Sequence, residues 1–245
     1  MAQRSMARSA GSMDALRRTA LVAGILYLVT FAASIPAVFL LDPVLTDPRY
    51  IVGAGADGQV LWGAVLDLVN ALACIGTAVA LFSVLKQEHE GFALGFVTTR
   101  MFEAAVIVIG VVSLLAVVSL RQPDASGADA AALVAVGNAL VAVRDWTFLL
   151  GPGLMPGMNA LLLGTLLYRS GLVPRVIPVL GLIGGPLLIS AVVGRLLGIN
   201  ETTSIWSMLG LVPIFVWELS LGLWMTIKGF RRPAGVTASP VAQAA

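Results

Sequence analysis

Six times along this chain a stretch of more than twenty residues passes almost without a charged side chain, and nothing else in the sequence restricts its fold as severely. A bilayer core of about 30 Å is crossed by roughly 20 apolar residues wound as an α-helix, so each stretch is long enough to be a span. Composition agrees: mean hydropathy is +0.96, with 58% hydrophobic and 11% charged residues, against roughly a quarter charged in soluble domains. The expected architecture is all-α, a polytopic transmembrane bundle whose principal surroundings are lipid.

The first span is placed at residues 19–41, which hold no charge and end at Asp42-Pro43, where proline and charge together should stop a membrane helix. That stretch exceeds the 7 to 15 residues usual for a signal h-region, so the basic segment before it, residues 1–18, reads as the flank of a retained anchor. Spans two and three are placed at residues 60–85 and 92–120, joined by a charged turn that carries the single histidine, His89, as a solvated loop residue. Residues 130–143 form a run of only 14 before Arg144-Asp145, which suits a short interfacial helix better than a span. Span four, residues 146–168, contains Gly151-Pro152-Gly153 and should bend or unwind there. Span five, residues 173–197, is expected to be interrupted at Gly184-Gly185-Pro186, and span six covers residues 204–227. The membrane domain thus runs over residues 19–231, and the small, proline-containing tail at 232–245 should be disordered.

Lys and Arg in the connections set the orientation. Six spans collect Arg4, Arg8, Arg17, Arg18, Lys86, Arg169, Arg175, Lys228, Arg231 and Arg232 on one side and Arg49, Arg121, Arg144 and Arg195 on the other, ten against four. Both ends of the chain are therefore expected in the cytoplasm. Counting 130–143 as a seventh span would put the basic carboxyl end outside. Because these basic residues flank spans instead of forming one patch, no nucleic-acid partner is expected. Trp62, Trp146, Trp206 and Trp224 lie near span ends, as interfacial anchors do.

Ionisable groups inside spans need a reason, since insertion scales place each at about +2.5 to +3.5 kcal/mol near a helix centre. Arg100 and Glu103 are three residues apart on span three and share a helical face. Glu218 lies ten residues before Lys228, about 15 Å from that end of span six, at a depth comparable to Glu103. The three are expected to meet as a triad. On span two, Gly63, Asp67, Asn70, Cys74 and Thr77 follow each other at offsets of four, three, four and three and trace one polar face. Arg144 can pair with Asp67, and Asp145 adds a second charge at the same level. These residues line up as a candidate binding column. Helix packing is the competing reading, for this stripe and for the small-xxx-small pair Gly153 and Gly157.

Catalytic chemistry finds little to work with. One cysteine, Cys74, and one histidine, on different elements, build neither a disulfide nor a zinc or haem site, so no metal and no cofactor are expected. No buried histidine serves as base for a serine nucleophile, no paired aspartates are visible, and no phosphate-cradling glycine loop occurs.

The segments Gly95-Phe96-Val97-Thr98-Thr99-Arg100-Met101-Phe102-Glu103, Tyr168 to Pro174, Pro213 to Glu218, Leu223-Trp224 and Lys228-Gly229-Phe230 resemble a bacterial integral-membrane family catalogued as domain of unknown function 4386. The resemblance runs from about residue 17 to residue 231. It implies a multi-span fold in the bacterial inner membrane, marks Arg100, Glu103 and Glu218 as positions of interest, and carries no activity. Two functions stay open: a carrier or channel for a small solute or proton, and a structural or regulatory membrane protein acting through partners. An intramembrane enzyme using Glu103 or Glu218 ranks third.

Reporter fusions at Glu88, Gly171 and the carboxyl terminus should report cytoplasm, and fusions near Gly55, Gly127 and Asn200 the outside. A cytoplasmic signal at Asn200 would refute six spans.

Overall fold

The computed structural model describes residues 2–231, with side chains from residue 15 onward. Seven α-helices appear in it: α1 (Ala2–Thr46), α2 (Asp57–Leu85), α3 (Glu90–Leu120), α4 (Gly127–Phe148), α5 (Met155–Ser170), α6 (Val176–Leu196) and α7 (Ile205–Ile227). No strand occurs among the described residues. A single π-turn, Leu149–Gly153, joins α4 to α5, so that Gly127–Ser170 is one bent rod and the rods long and apolar enough to cross a membrane number six.

These six rods close into a ring in chain order. Each packs against its successor, α3 touches both halves of the bent rod, and α7 returns to α1. Hydrogen bonds at the two ends of the ring confirm an even number of crossings. At one end Arg17 donates to the carbonyl oxygens of Thr226 and Ile227, at 3.3 and 2.9 Å, and the Arg231 N–H donates to the Leu172 carbonyl at 2.7 Å. At the other, the Gln122 N–H donates to the Ile51 carbonyl at 2.9 Å, and Arg121 donates to the Gly53 carbonyl at 2.7 Å and pairs with Asp57. Burial and its hydrogen bond to that same Asp57 push the Tyr50 phenol up to about 12.

Outward faces stay apolar. Phe39, Leu72 and Ile205 are 70%, 68% and 81% exposed, a surface that hydrocarbon, not water, would leave undisturbed. Inside, one cluster around Tyr27, Phe96, Leu163, Trp217 and Leu221 fills the basic half of the ring. A second, around Leu41, Tyr50, Ile51, Val60 and Leu114, closes the opposite half.

Three expectations from the sequence are corrected. Helix α1 does not stop at Asp42-Pro43 but runs to Thr46. Pro43 lacks the N–H that the Phe39 carbonyl would otherwise bind, and the Gln59 amide of α2 donates to that carbonyl instead, at 3.3 Å. Residues 130–143 are helical, yet they are not a separate short helix: they belong to α4, which continues through Arg144-Asp145 into span four. Arg144 is buried, with Asp67 as counter-ion, so its charge does not mark a helix end. Finally, Gly184-Gly185-Pro186 does not interrupt α6. These glycines admit neighbours, because a Cβ on Gly185 would lie 2.9 Å from the Gly157 carbonyl and one on Gly184 2.9 Å from Pro213. The bend in span four does fall at Gly151-Pro152-Gly153. Of the Gly153 and Gly157 pair only Gly157 packs on another helix. His89 caps α3, its Nδ1 accepting from the Phe92 N–H at 3.3 Å. The tail at 232–245 lies outside the described residues.

The ring closes where α1 meets α7. A Cβ on Gly24 would stand 2.6 Å from the Thr226 backbone nitrogen and 2.9 Å from the Gly222 carbonyl, so two backbones touch there with no room for a methyl group. Gly24→Ala should therefore lower the unfolding midpoint and folded yield, with an overpacking penalty of about 1 to 3 kcal/mol. Gly58→Ala, at a position with nothing within 4 Å, should leave both unchanged. Equal behaviour of the two variants in a thermal unfolding scan would contradict the closed ring.

Candidate functional site

Arg100 is placed by α3 on the face that looks into the ring, and four of the six rods meet around it. Its Nη1 donates to Glu103 Oε2 at 2.9 Å, one turn along the same helix, with the two side chains only 3% and 6% exposed. The same nitrogen lies 3.5 Å from Cys74 Sγ on α2, and the guanidinium sits 4.9 Å from the ring centroid of Tyr27 on α1, a cation–π geometry. Glu103 Oε2 also accepts from the Asn159 amide of α5 at 2.9 Å, and Asn159 Oδ1 accepts from the Thr99 hydroxyl at 2.6 Å. A carboxylate, an amide and a hydroxyl thus tie α3 to α5 in an unbroken chain.

The third acid stands apart. Glu218, on α7, is an electrostatic neighbour of Arg100 and Glu103, yet it forms no ion pair with Arg100. Its Oε1 is buried without a hydrogen-bond partner, as are Arg100 Nε and Nη2, the Tyr27 hydroxyl and the Trp217 indole nitrogen. Of the expected triad, then, one pair is in contact and the third member is close but unpartnered. The residue as a whole is half-buried, and a carboxylate left unpaired inside a span must be protonated, hydrated or matched by a cation.

A second polar node lies towards the other end of the ring. Asp67 on α2 faces Arg144 on α4, with Nη2 to Oδ2 at 3.4 Å. The Arg144 guanidinium lies 4.6 Å from the Phe148 ring centroid. Gly110 of α3 makes room for it, since a Cβ there would stand 2.8 Å from Arg144 Cδ. A cavity of about 180 Å³ opens beside this pair, lined by Asp67, Asn70, Arg144, Ile107, Ile35 and Phe148 among others. Asn70 and Ile107 are one helical turn from Cys74 and Glu103, so the cavity floor and the Arg100 cluster are adjacent layers of one interior.

The remaining members of the span-two stripe point inward as well. Thr77 is fully buried, but its hydroxyl donates to the Ala73 and Cys74 carbonyls of its own helix and crosses to no other. Asp145 does not join the cavity. It is exposed and lies with Arg195, Asn200 and Glu201 around a separate, wider depression. Asn159, Thr99 and Tyr27 escaped the sequence reading. The signal for Asn159 is its being the lone side-chain amide in residues 146–168, a group that, like a buried carboxylate, needs a partner inside a span. Trp217 is fully buried against Gly181, unlike the tryptophans at span ends. Among the described residues no three His, Cys, Asp or Glu side chains gather as a metal site would need.

A family model described as Domain of unknown function (DUF4386) matches residues 22–229, which takes in every residue of both nodes. The chain belongs to that family. No curated protein and no solved structure matches it. With six rods long and apolar enough to cross a membrane, this DUF4386 chain is a multi-pass membrane protein.

Removing Arg100 leaves two acids in the ring without a cation, whereas Glu103→Gln keeps the shape and the bond from Asn159. Arg100→Ala should therefore reduce stability by about 3 to 5 kcal/mol, the range for breaking a buried pair, and more than Glu103→Gln or Glu218→Gln does. Unfolding in mixed micelles measures this, and an Arg100→Ala protein as stable as wild type would show that the cluster holds nothing together.

Proposed function

We propose that this protein is a carrier or channel for a small solute or a proton in the bacterial plasma membrane, oriented with both ends of the chain in the cytoplasm. The observation that carries the reading is the juxtaposition of unspent polar capacity. Oε1 of the half-buried Glu218 and two nitrogens of Arg100 are buried without partners, and a cavity lined by Asp67, Asn70 and Arg144 among apolar side chains begins one helical turn beyond Glu103. A group retained only for packing gains nothing from open valences in hydrocarbon, where each costs several kcal/mol, roughly. Pro152, in the π-turn of span four, also lines the cavity, and a local departure from α-helical hydrogen bonding is frequent at functional sites.

A structural role has its own support. Thr99, Asn159, Glu103 and Arg100 form a continuous hydrogen-bonded chain between α3 and α5, as interhelical glue would. Glu218 separates the two readings.

In proteoliposomes with an entrapped pH dye, the wild-type protein should speed the collapse of an imposed proton gradient, alone or with a mixture of small amino acids, sugars and organic acids outside. Glu218→Gln, eluting as a monodisperse folded protein, should fall to the level of protein-free vesicles. Gradient decay that is the same with and without wild-type protein would reject transport and leave the structural reading.

A further inference from the structure

The cavity beside Asp67 and Arg144 has a chemistry specific enough to name a ligand class. Its charged lining is one carboxylate and one guanidinium, both in residues only 7% exposed, and Asn70, also 7% exposed, adds an amide. The charges are matched loosely. Their one contact, at 3.4 Å, is longer than the 2.7 to 3.2 Å range of a good N–H···O bond, roughly. Arg144 offers five N–H donors in a fork and uses one of them on Asp67. Asn70 makes a single side-chain contact, a 3.9 Å approach of Cys74 Sγ to its Oδ1. The rest of the wall is mostly apolar, from Ile35, Val38, Ile107 and Phe148, with the hydroxyl-bearing Ser34 and Thr147 between them. Ile35 and Val38, which α1 contributes to the rim, are 46% and 50% exposed.

We propose that this cavity binds a small zwitterion with an apolar side chain, a free α-amino acid of the leucine type. The pair sums to zero charge inside a low-dielectric bundle, where an added anion or an added cation alone would leave one charge unmatched. A ligand that carries both charges keeps the sum at zero. Its carboxylate takes the free edge of the Arg144 fork, its ammonium lies between Asp67 and Asn70 Oδ1, and its hydrocarbon meets Ile107 and Phe148. The weak Asp67 to Arg144 contact is what such a ligand replaces with two better ones. At about 180 Å³ the space is below the roughly 300 to 1,000 Å³ of drug-sized pockets and suits a solute of this size. The inference names the solute of the transport reading, yet binding is measured without flux.

The test uses purified full-length protein in nanodiscs and four probes sharing one branched tail: L-leucine, 4-methylpentanoate, isoamylamine and 4-methylpentanamide. Radiolabelled leucine should bind saturably, and the anion, the cation and the neutral amide should each compete at least about tenfold more weakly, a difference of about 1.4 kcal/mol. Asp67→Asn and Arg144→Gln should each weaken leucine binding by at least that factor. Should either variant fail to fold, Val38→Trp, on the exposed rim, fills the cavity without touching the pair and should abolish binding. No saturable leucine binding to monodisperse wild type, an analogue binding as well as leucine, or binding that survives Val38→Trp would each overturn the proposal. Leucine binding without any flux would remove the transport reading and leave this site standing. Flux without leucine binding would do the reverse.

Discussion

A guanidinium enters hydrocarbon with five donors and a charge it does not give up, and Arg100 does so at 2% exposure in the middle of an apolar ring. Placing it there costs about 2.5 to 3.5 kcal/mol on insertion scales before any partner is found, so the neighbouring helices are arranged around its needs. Glu103 supplies the counter-charge from one turn away, Asn159 holds Glu103 from α5, Tyr27 offers its ring face from α1, and Cys74 its sulfur from α2. None of these helices can rotate or slide by a turn without stranding a buried charge. The interaction is thus a register pin for the bundle as much as a source of stability.

Close helix approach makes this convergence possible. Gly24 against Gly222, Gly157 against Gly185, and Gly210 against Leu188 bring backbones together along the seams of α1 with α7, α5 with α6, and α6 with α7. In lipid, where apolar side chains gain little by leaving hydrocarbon for one another, such small-residue contacts and buried polar bonds carry helix association. Glycine seams and a charged axis are therefore complementary. The seams set the ring's diameter, and that diameter decides which polar atoms on facing helices can touch.

The membrane fold was legible because it rests on length and hydropathy, which are local properties of the sequence. Six long, predominantly apolar stretches required no knowledge of contacts. The Arg100 and Glu103 pair was legible for the same reason, being a three-residue spacing on one helix. What the sequence hid depended on partners far along the chain. Pro43 looked like a helix stop because Gln59, sixteen residues later, is what satisfies Phe39. The pairing of Arg144 with Asp67, 77 positions earlier, was legible, and what stayed hidden was that α4 runs on through Arg144-Asp145 into span four. Gly184-Gly185-Pro186 looked like a break because local propensity is silent about the neighbours that glycines admit. Asn159 shares the logic of Glu103, but an amide draws less notice than a charge.

The claim on which this account turns is that Arg100 and Glu103 act as one coupled unit, and a double-mutant cycle measures that directly. Unfolding free energies in mixed micelles for Arg100→Met, Glu103→Gln and the double variant should give a double variant more stable than Arg100→Met alone, because the second change removes the carboxylate that the first one stranded. Coupling of at least about 1 kcal/mol is expected, within the 0.5 to 3 kcal/mol range for residues in one network. Losses that add to within about 0.5 kcal/mol, as they do for distant sites, would contradict the account.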